Sequence, residues 1–443
     1  MRVRNRKKSE RTLPRSTYQW RLFVLVVILL LIALGLIGRL INLTVINRQF
    51  LQNQGNARTI RRVTIPAHRG MILDRHGVPL AISTPVNAVW IDPADFKPSV
   101  SQLARLSTLL QVSKPLIQQQ CVHGRGKEFV YLKRGLNPSL ARQIKSLKIP
   151  GVFLQDEYHR YYPEGPVMDH VVGLTDVDDK GQEGLELAYN NWLEGQAGLK
   201  QVIKDRLGHV VADIRAIRPP KPGHDLQISL DKRIQYVAYR ELKAGVERYR
   251  ADSGSVVVLD VKTGEILAMV NWPSYNPNHR RSAQDGHARN RAVTDLFEPG
   301  STIKSFSMAS VLSNSQFTPS SQIDTSPGWM IIAGKRITDE RNNGVMDLTK
   351  ILQISSNMGM SKLILSQPAE NLWNTLHRVG FGQVTESNLP GERTGSLPHF
   401  KVWNPFVLAT LSFGYGISVT TLQLAQAYAV LAQGGVKVPV TFL

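Results

Sequence analysis

The chain has very little cysteine and no recognisable repeat, and these absences exclude several classes of protein. Cys121 is the single cysteine among 443 residues, so an intrachain disulfide is impossible, and we interpret the thiol as buried or chemically indifferent. No Cys/His cluster has the spacing of zinc ligands, so we expect neither a bound metal nor another cofactor. No period of about 20 to 50 residues recurs, which argues against solenoids and propellers.

Acidic residues are also scarce, because 34 of them oppose 54 lysines and arginines and leave a net charge of +20. A nucleic-acid partner would need this charge on one face or in one motif. Much of the local charge density lies instead in residues 1–21, directly before an apolar run, so we expect no nucleic-acid partner. The basic residues there are Arg2, Arg4, Arg6, Lys7, Lys8, Arg11, Arg15 and Arg21, opposed by Glu10 alone.

A long uncharged apolar run extends from Leu22 to Gly38 and resumes after Arg39. With the basic tail before it, this pattern predicts a membrane-spanning helix over residues 22–46, a cytoplasmic tail over residues 1–21, and a remainder outside the cytoplasmic membrane. Tilting of the helix or snorkelling of Arg39 accommodates the interruption. A cleaved signal peptide is the alternative, but its apolar core is usually shorter and a small-residue cleavage site should follow it.

The rest of the chain predicts an α+β fold in two segments, residues 47–218 and 224–443, separated by the proline-rich stretch 218–223. The first segment has short alternating stretches at 88–91 and 151–154 and a helical pattern at 100–111. In the second, 225–230 is predicted as a strand and Asp231 as the cap of a helix through Arg248. Residues 255–261 and 265–270 predict an antiparallel hairpin whose turn contains Gly264.

Ser301 opens a predicted helix and is followed one turn later by Lys304. Pro299 and Gly300 make a sharp turn that leaves Ser301 where free backbone N–H groups can stabilise an oxyanion. Desolvation disfavours the Lys304 ammonium, so a neutral amine on the same helix face could act as general base toward the Ser301 hydroxyl. Alone this pattern is weak, because Ser-x-x-Lys is expected by chance about once or twice in such a chain, and residues 229–232 also match it.

A second pattern, Ser355-Ser356-Asn357, lies between two helix-like runs and is suited to a loop that projects into a cleft. Ser355 could shuttle a proton to a leaving amine, and Asn357 could bind a substrate amide. A rival Ser-x-Asn at residues 274–276 precedes Ser301 and lies in a Pro-rich turn, so its order does not suit this nucleophile.

The third pattern expected with the first two is Lys-Thr-Gly on a strand. A literal match at 262–264 precedes Ser301 and falls in the predicted hairpin turn. The near match Arg393-Thr394-Gly395 follows Ser355 but lies among turn residues. We therefore expect this sequence to be a C-terminally truncated version of a longer protein with an incomplete site.

Further stretches, in this order, make the whole chain resemble the class B penicillin-binding proteins, and specifically their cell-division type. The stretches of the first segment are RGMILDRHG at 69–77, RYYP at 160–163, HVVG at 170–173 and GQEGLE at 181–186. Those of the second segment are RNRAVTD at 289–295, GERTG at 391–395 and SFGYG at 412–416. Ser-Ser-Asn, GERTG and the FGYG stretch resemble the division enzymes more than the elongation enzymes.

The resemblance implies a non-catalytic pedestal, also called a dimerisation-type domain, followed by a transpeptidase domain with helices on a five-stranded antiparallel sheet. It also implies a serine-type D-Ala-D-Ala transpeptidase that cross-links peptidoglycan stem peptides at the septum and is acylated by β-lactams. Carboxypeptidase activity would follow if water replaced the acceptor amine. The implied location is the bacterial inner membrane, with a periplasmic catalytic domain and division partners such as the FtsW glycosyltransferase.

Two other classes of function stay open for this sequence. One is a non-catalytic scaffold that docks division partners through the helix and the pedestal, and it predicts that Ser301→Ala still supports division. The other is a secreted β-lactamase or a β-lactam sensor, which would need hydrolytic turnover or a signalling domain; the anchor-plus-pedestal layout does not favour it.

Overall fold

The computed structural model describes residues 16–51, 60–127, 129–204, 210–283, 286–314 and 317–443. Its helices are α1 Ser16–Ile41, α2 Val100–Leu110, α3 Lys114–His123, α4 Pro138–Ser146, α5 Asp169–Val172, α6 Gly184–Ala188, α7 Asn190–Leu193, α8 Lys232–Tyr249, α9 Arg291–Thr294, α10 Lys304–Asn314, α11 Leu348–Gln353, α12 Asn357–Leu365, α13 Ala369–Arg378, α14 Pro405–Leu411 and α15 Thr421–Ala432. Its strands are β1 Ile60–Ile65, β2 Ile72–Leu73, β3 Pro79–Ile91, β4 Val130–Leu136, β5 Val152–Tyr161, β6 Gly198–Lys204, β7 Val210–Arg218, β8 Leu226–Gln227, β9 Gly254–Leu259, β10 Ile266–Trp272, β11 Gln322–Asp324, β12 Trp329–Ile332, β13 Lys335–Thr338 and β14 Val345–Asp347.

The chain divides into two compact units. One comprises Met1–Ile65 and Leu199–Pro219, and the other comprises Pro66–Gly198 and Pro220–Leu443. The first unit contains α1, a π-helical turn at Asn42–Ile46 and a three-stranded sheet in the order β1-β6-β7.

The N-terminal helix covers the stretch predicted to span a membrane. Among the described residues, Gln19–Ile46 is the one span that is long and apolar enough to do so, with 28 residues and a mean hydropathy of 3.0 over an 18-residue window. A rise of 1.5 Å per residue gives it a length of about 42 Å, which exceeds the hydrocarbon thickness of a bilayer. Most of the predicted basic tail, residues 1–15, lies outside the described residues.

The second unit begins with a sheet built around the long strand β3. The strand order is β4-β3-β2-β8, and β5 also pairs with β3 in an antiparallel register from Ile82↔Tyr161 to Ile91↔Val152. Helices α2, α3 and α4 cover one part of this sheet and bury a common apolar core. Its members include Val89, Leu106, Leu110, Ile117, Leu132 and Ile144. The predicted α+β class is confirmed.

Three of the sequence stretches noted above meet in a buried ion network in this unit. The Glu186 carboxylate accepts hydrogen bonds from Arg69 Nε at 2.8 Å and from Arg160 Nε at 2.6 Å. Arg69 also donates to the Asn190 amide oxygen at 2.9 Å and to the Asp179 carbonyl at 3.1 Å. Since these side chains are almost fully buried, the stretches at 69–77, 160–163 and 181–186 contribute to the internal structure of the pedestal.

The chain then passes through β8 into the second sheet, and the predicted strand at 225–230 is shorter than expected. Only Leu226 and Gln227 pair in the first sheet, in parallel with β2. Ile228 N–H still binds the Leu73 carbonyl of β2 at 2.9 Å. The chain then leaves this sheet, because Ser229 N–H binds the Phe442 carbonyl at 2.8 Å and Asp231 N–H binds the Leu267 carbonyl at 3.0 Å. A change of partner sheet, which local β propensity does not encode, therefore ends the strand.

The helix and hairpin predicted after this point are confirmed. The Asp231 side chain caps α8 by accepting the Arg233 N–H. Strands β9 and β10 pair in an antiparallel register from Trp272↔Gly254 to Ile266↔Leu259, and Gly264 in their turn has φ +77°. Gln235 of α8 bonds both the N–H and the carbonyl of Met269 in β10, which fixes the helix on the sheet.

Candidate active site

The predicted nucleophile lies where a short 3₁₀ turn, Gly300–Ile303, runs directly into α10. Gly300 has φ +57°, a conformation that glycine adopts at little cost, and its N–H binds the Gly414 carbonyl at 3.2 Å. Behind the turn, the buried residues Ile303 and Phe306 anchor the helix in an apolar core. Ser301 is thereby left exposed at the start of a rigid helix.

The Lys304 amine is buried and lies at the centre of a polar cluster. Lys304 is 1% exposed, and its Nζ lies 2.5 Å from the Ser355 carbonyl oxygen, 3.0 Å from Ser355 Oγ and 2.7 Å from Asn357 Oδ1. Among the described residues, these acceptors and not the Ser301 hydroxyl hold the amine. The structure thus brings together three of the four predicted site residues, with Ser301 one helical turn before Lys304.

Burial makes Lys304 a weaker base than an ordinary lysine and one that is partly neutral near physiological pH. Removal of water lowers the pKa of its ammonium to about 8, and the negative charge of Asp339 opposes this shift. A proton acceptor with a pKa close to the working pH is well suited to general base catalysis.

The Ser355 loop reaches Lys304 because its backbone adopts an unusual conformation. Ser355 lies between α11 and α12 with φ +59°, in the left-handed region that residues other than glycine seldom occupy. In this conformation both its carbonyl and its hydroxyl lie within reach of Lys304 Nζ. The conformation is therefore tied to the contacts with the buried amine.

Asp339, which the sequence patterns did not reveal, holds the start of α12 in place. Its carboxylate accepts hydrogen bonds from Ser356 Oγ at 2.5 Å, Asn357 N–H at 2.6 Å and Met358 N–H at 2.9 Å. The first N–H groups of a helix have no intrahelical partner, and a carboxylate there is stabilised by the helix dipole. Ser356 completes the cap by accepting the Gly359 N–H at 2.9 Å. Asp339 thus positions Asn357.

The SFGYG stretch at 412–416 packs directly against the nucleophile turn. The Ser412 carbonyl accepts the Ser307 hydroxyl at 2.8 Å, and Gly416 N–H donates to the Glu298 carboxylate at 2.9 Å. A Cβ on Gly414 would lie 2.0 Å from the Gly300 carbonyl oxygen. Only glycine at 414 therefore permits this approach of the two backbones.

The other motif matches take part in contacts of their own. The Ser229 hydroxyl is buried and donates to the Ile266 carbonyl at 2.9 Å, a structural role. Residues 262–264 form the β9–β10 turn, where the Asp260 carboxylate accepts the Lys262 N–H at 2.8 Å. Arg393-Thr394-Gly395 lies in an irregular segment before the Ser396–Ser418 bridge. The predicted turn and loop placements agree with this.

The arrangement contains the parts needed for acyl transfer by a serine. An exposed hydroxyl stands at a helix start, where backbone N–H groups can stabilise negative charge on a substrate oxygen. A buried amine of lowered pKa lies one turn away, and a second hydroxyl, on Ser355, contacts that amine.

Comparison with known proteins agrees with this chemistry. The penicillin-binding protein transpeptidase domain matches residues 254–443, and the penicillin-binding protein dimerisation domain matches residues 64–228. The probable peptidoglycan D,D-transpeptidase PbpC of Pseudomonas aeruginosa is 42% identical over 422 residues, covering 95% of this chain and 75% of that protein. The peptidoglycan D,D-transpeptidase FtsI of Escherichia coli K12 is 41% identical over 428 residues, covering 95% of this chain and 72% of that protein.

Solved structures show the same fold. A peptidoglycan synthetase from Bifidobacterium adolescentis has a TM-score of 0.66 at 25% identity, covering 86% of this chain and 74% of that one. Penicillin-binding protein 3 from Mycobacterium tuberculosis, solved in complex with aztreonam, has a TM-score of 0.64 at 26% identity, covering 86% of this chain and 67% of that one. By its sequence, its fold and the arrangement of its polar residues, the chain belongs to the penicillin-binding protein transpeptidase family.

Proposed function

We propose that the protein is a peptidoglycan D,D-transpeptidase that cross-links stem peptides at the division septum through an acyl-enzyme on Ser301. The observation that carries this proposal is the buried Lys304 amine, whose pKa is lowered by desolvation to about 8 and which contacts Ser355 and Asn357 one turn from Ser301. The names of the FtsI and PbpC relatives support the reaction, and FtsI supports the division role.

In the acylation step, the Ser301 oxygen attacks the carbonyl between the two terminal D-alanines of a stem peptide. Neutral Lys304 takes the hydroxyl proton, and N–H groups at the helix start stabilise the oxyanion. Ser355, which contacts the protonated amine, passes a proton to the leaving D-alanine amine as the peptide bond breaks. The products are an ester on Ser301 and free D-alanine.

In the second step, an amine from a neighbouring stem peptide attacks the ester and releases Ser301 with its proton restored. Asn357, which Asp339 and Lys304 hold in place, binds an amide of the substrate. A β-lactam presents a strained amide to the same serine and leaves it acylated. Water as the acceptor gives the carboxypeptidase reaction.

In this proposal, the first helix determines where the protein lies in the cell. Gln19–Ile46 anchors the chain in the inner membrane, and the basic residues before it place the N-terminus in the cytoplasm and the catalytic segment in the periplasm. A septal glycosyltransferase of the FtsW type is the proposed division partner, on the resemblance to the division enzymes.

Replacement of the native copy in cells by Ser301→Ala tests the proposal against its alternatives. Protein level in the membrane is measured by immunoblot, so that loss of function is separated from loss of protein. The enzyme proposal predicts that the variant accumulates normally and the cells form filaments. Normal division would instead support the non-catalytic scaffold, and rounded cells would support an elongation role.

A further inference from the structure

A basic cavity in the second unit is lined by residues from both of its segments, and none of these residues belongs to the candidate active site. Its volume is about 300 Å³, at the lower end for small-molecule sites. The lining residues are His159, Arg160, Tyr162, Thr175, Pro277, Asn278, His279, Arg280 and Arg281. Three guanidinium groups and two imidazoles thus line one cavity, and none of the lining residues is acidic.

One of these guanidinium groups retains a buried donor without a partner. Arg160 is 2% exposed; its Nε binds the Glu186 carboxylate and its Nη1 binds the Ser83 hydroxyl at 3.1 Å. Its Nη2 is buried and has no hydrogen-bond partner among the described residues. A buried donor left unpaired costs free energy, and the cost is larger for a charged group. An acceptor supplied from the cavity would remove this cost.

The charge of a second guanidinium is not neutralised by a carboxylate in the described part of the chain. Arg280 is held by two backbone carbonyls, since its Nε donates to Thr175 at 3.0 Å and its Nη2 to Asp176 at 2.7 Å. These bonds orient the group without cancelling its charge. Nearby, the carboxylates of Glu186 and Asp179 face Arg69 and Arg160. These two negative charges offset only part of the positive charge that Arg280 and Arg281 add at the cavity.

The neighbouring imidazole responds to this excess charge. Burial lowers the pKa of His159, the positive charge of Arg280 lowers it further, and Asp179 opposes the effect. An anion placed among these groups would favour protonation of His159 and raise its pKa. The imidazole is therefore a built-in reporter of occupancy.

We propose that this basic cavity is a binding site for an oxyanion, a phosphate or carboxylate group, at the junction of the pedestal and transpeptidase segments. Planar guanidinium groups suit such ligands because they can donate paired hydrogen bonds to two oxygens. Because residues 159–175 line one side and residues 277–281 the other, the bound anion joins the two segments. The site is independent of the chemistry at Ser301.

The test uses the purified full chain with inorganic phosphate and with acetate, each titrated at constant ionic strength made up with chloride. Binding is followed by the NMR signal of the His159 ring, assigned by comparison with His159→Gln. We expect saturable binding and a rise in the His159 pKa, with no change at His123 on α3. A preference for phosphate or for acetate identifies which oxyanion the site takes. No saturation with either anion, or an unchanged His159 pKa, would overturn the proposal.

Arg281→Gln and Arg280→Lys separate ligand binding from structural effects. Arg281 is exposed, so its loss should weaken binding by roughly tenfold, the scale of one charge-assisted hydrogen bond, without unfolding the protein. Arg280→Lys keeps the charge and should retain part of the affinity. Arg240→Gln, on the exposed face of α8, removes the same charge elsewhere and should leave the affinity unchanged. If Arg240→Gln weakened anion binding as much as Arg281→Gln does, net charge alone would explain the effect, and a specific site would be refuted.

Discussion

Replacement of Asp339 by asparagine should separate the two roles that its carboxylate has near the candidate nucleophile. The carboxylate accepts three hydrogen bonds at the start of α12, from Ser356 Oγ, Asn357 N–H and Met358 N–H. It also raises the pKa of Lys304, against the larger effect of desolvation. Asparagine keeps the shape and one acceptor oxygen but loses the charge.

The first effect is on stability. A hydrogen bond to a charged group contributes about 1.5–3 kcal/mol, and the variant loses the bond from Ser356 Oγ together with the charge that favours the two N–H bonds. We expect a destabilisation of about 2 kcal/mol, reduced because Asp339 is only half-buried. In a unit of this size such a loss lowers the melting temperature by a few degrees at most, since each kcal/mol corresponds to about 2–4 °C for 150–250 residues and to less for larger units.

The second effect is on the pH dependence of acylation, and its sign is fixed. Lys304 must be neutral to accept the Ser301 proton, and its pKa of about 8 limits the neutral fraction at neutral pH. Without the Asp339 charge the pKa falls further below its usual value. The midpoint of the rate–pH curve should therefore move to lower pH, while the plateau falls because Asn357 and the Ser355 loop are held less firmly.

The assay is the rate of labelling by a fluorescent penicillin across the pH range that brackets the Lys304 pKa. Asp347→Asn is the matched control, because Asp347 caps α11 through the Lys350 N–H and asparagine is also a good N-cap. The control should leave both the midpoint and the plateau unchanged. A midpoint for Asp339→Asn that stays in place or moves to higher pH would refute the electrostatic link to Lys304.

Three further predictions test other parts of the account. The unaltered protein should label with a rate that rises with pH to half its maximum near the Lys304 pKa of about 8, and a flat profile would exclude this amine as the base. Gly414→Ala should slow labelling, because its Cβ would lie 2.0 Å from the backbone of the nucleophile turn. The control Gly416→Ala, whose Cβ meets nothing closer than 3.9 Å, should slow labelling less. Equal labelling rates for the two variants would refute the steric argument. Glu186→Gln should destabilise the fold by about 3–5 kcal/mol in chemical denaturation, because it removes the carboxylate that pairs with two buried arginines. A loss below about 1 kcal/mol would contradict that.

Local patterns were sufficient to predict several elements of the fold. The cap at Asp231, the helix after it and the hairpin around Gly264 depend on residues close together in sequence. The strand predicted at 225–230 was too long because its end depends on a distant contact. Ser229 turns to Thr441, more than two hundred residues away. Sequence alone does not report such a change of partner.

The candidate site shows the same division between local and distant information. The spacing of Ser301 and Lys304 predicts that both lie on one helix face, and the structure has them one turn apart. The contact of Lys304 with the Ser355 carbonyl depends on a positive φ that serine seldom adopts. Asp339 is separated from Asn357 by a strand and a helix, so no spacing rule connects them. The domain limits stay predictions, as do the roles of the four predicted residues, which the labelling experiments address.

Peptide mapping by mass spectrometry, after incubation of the full chain with penicillin, tests the central claim most directly. Trypsin releases residues 292–304, a peptide in which Ser301 is the only serine. The account predicts that this peptide gains the mass of one ring-opened penicillin, that the peptide containing Ser229 does not, and that Ser301→Ala abolishes the adduct while its melting temperature stays unchanged. An adduct on another residue, or no adduct on the folded protein, would contradict the assignment of Ser301 as the nucleophile.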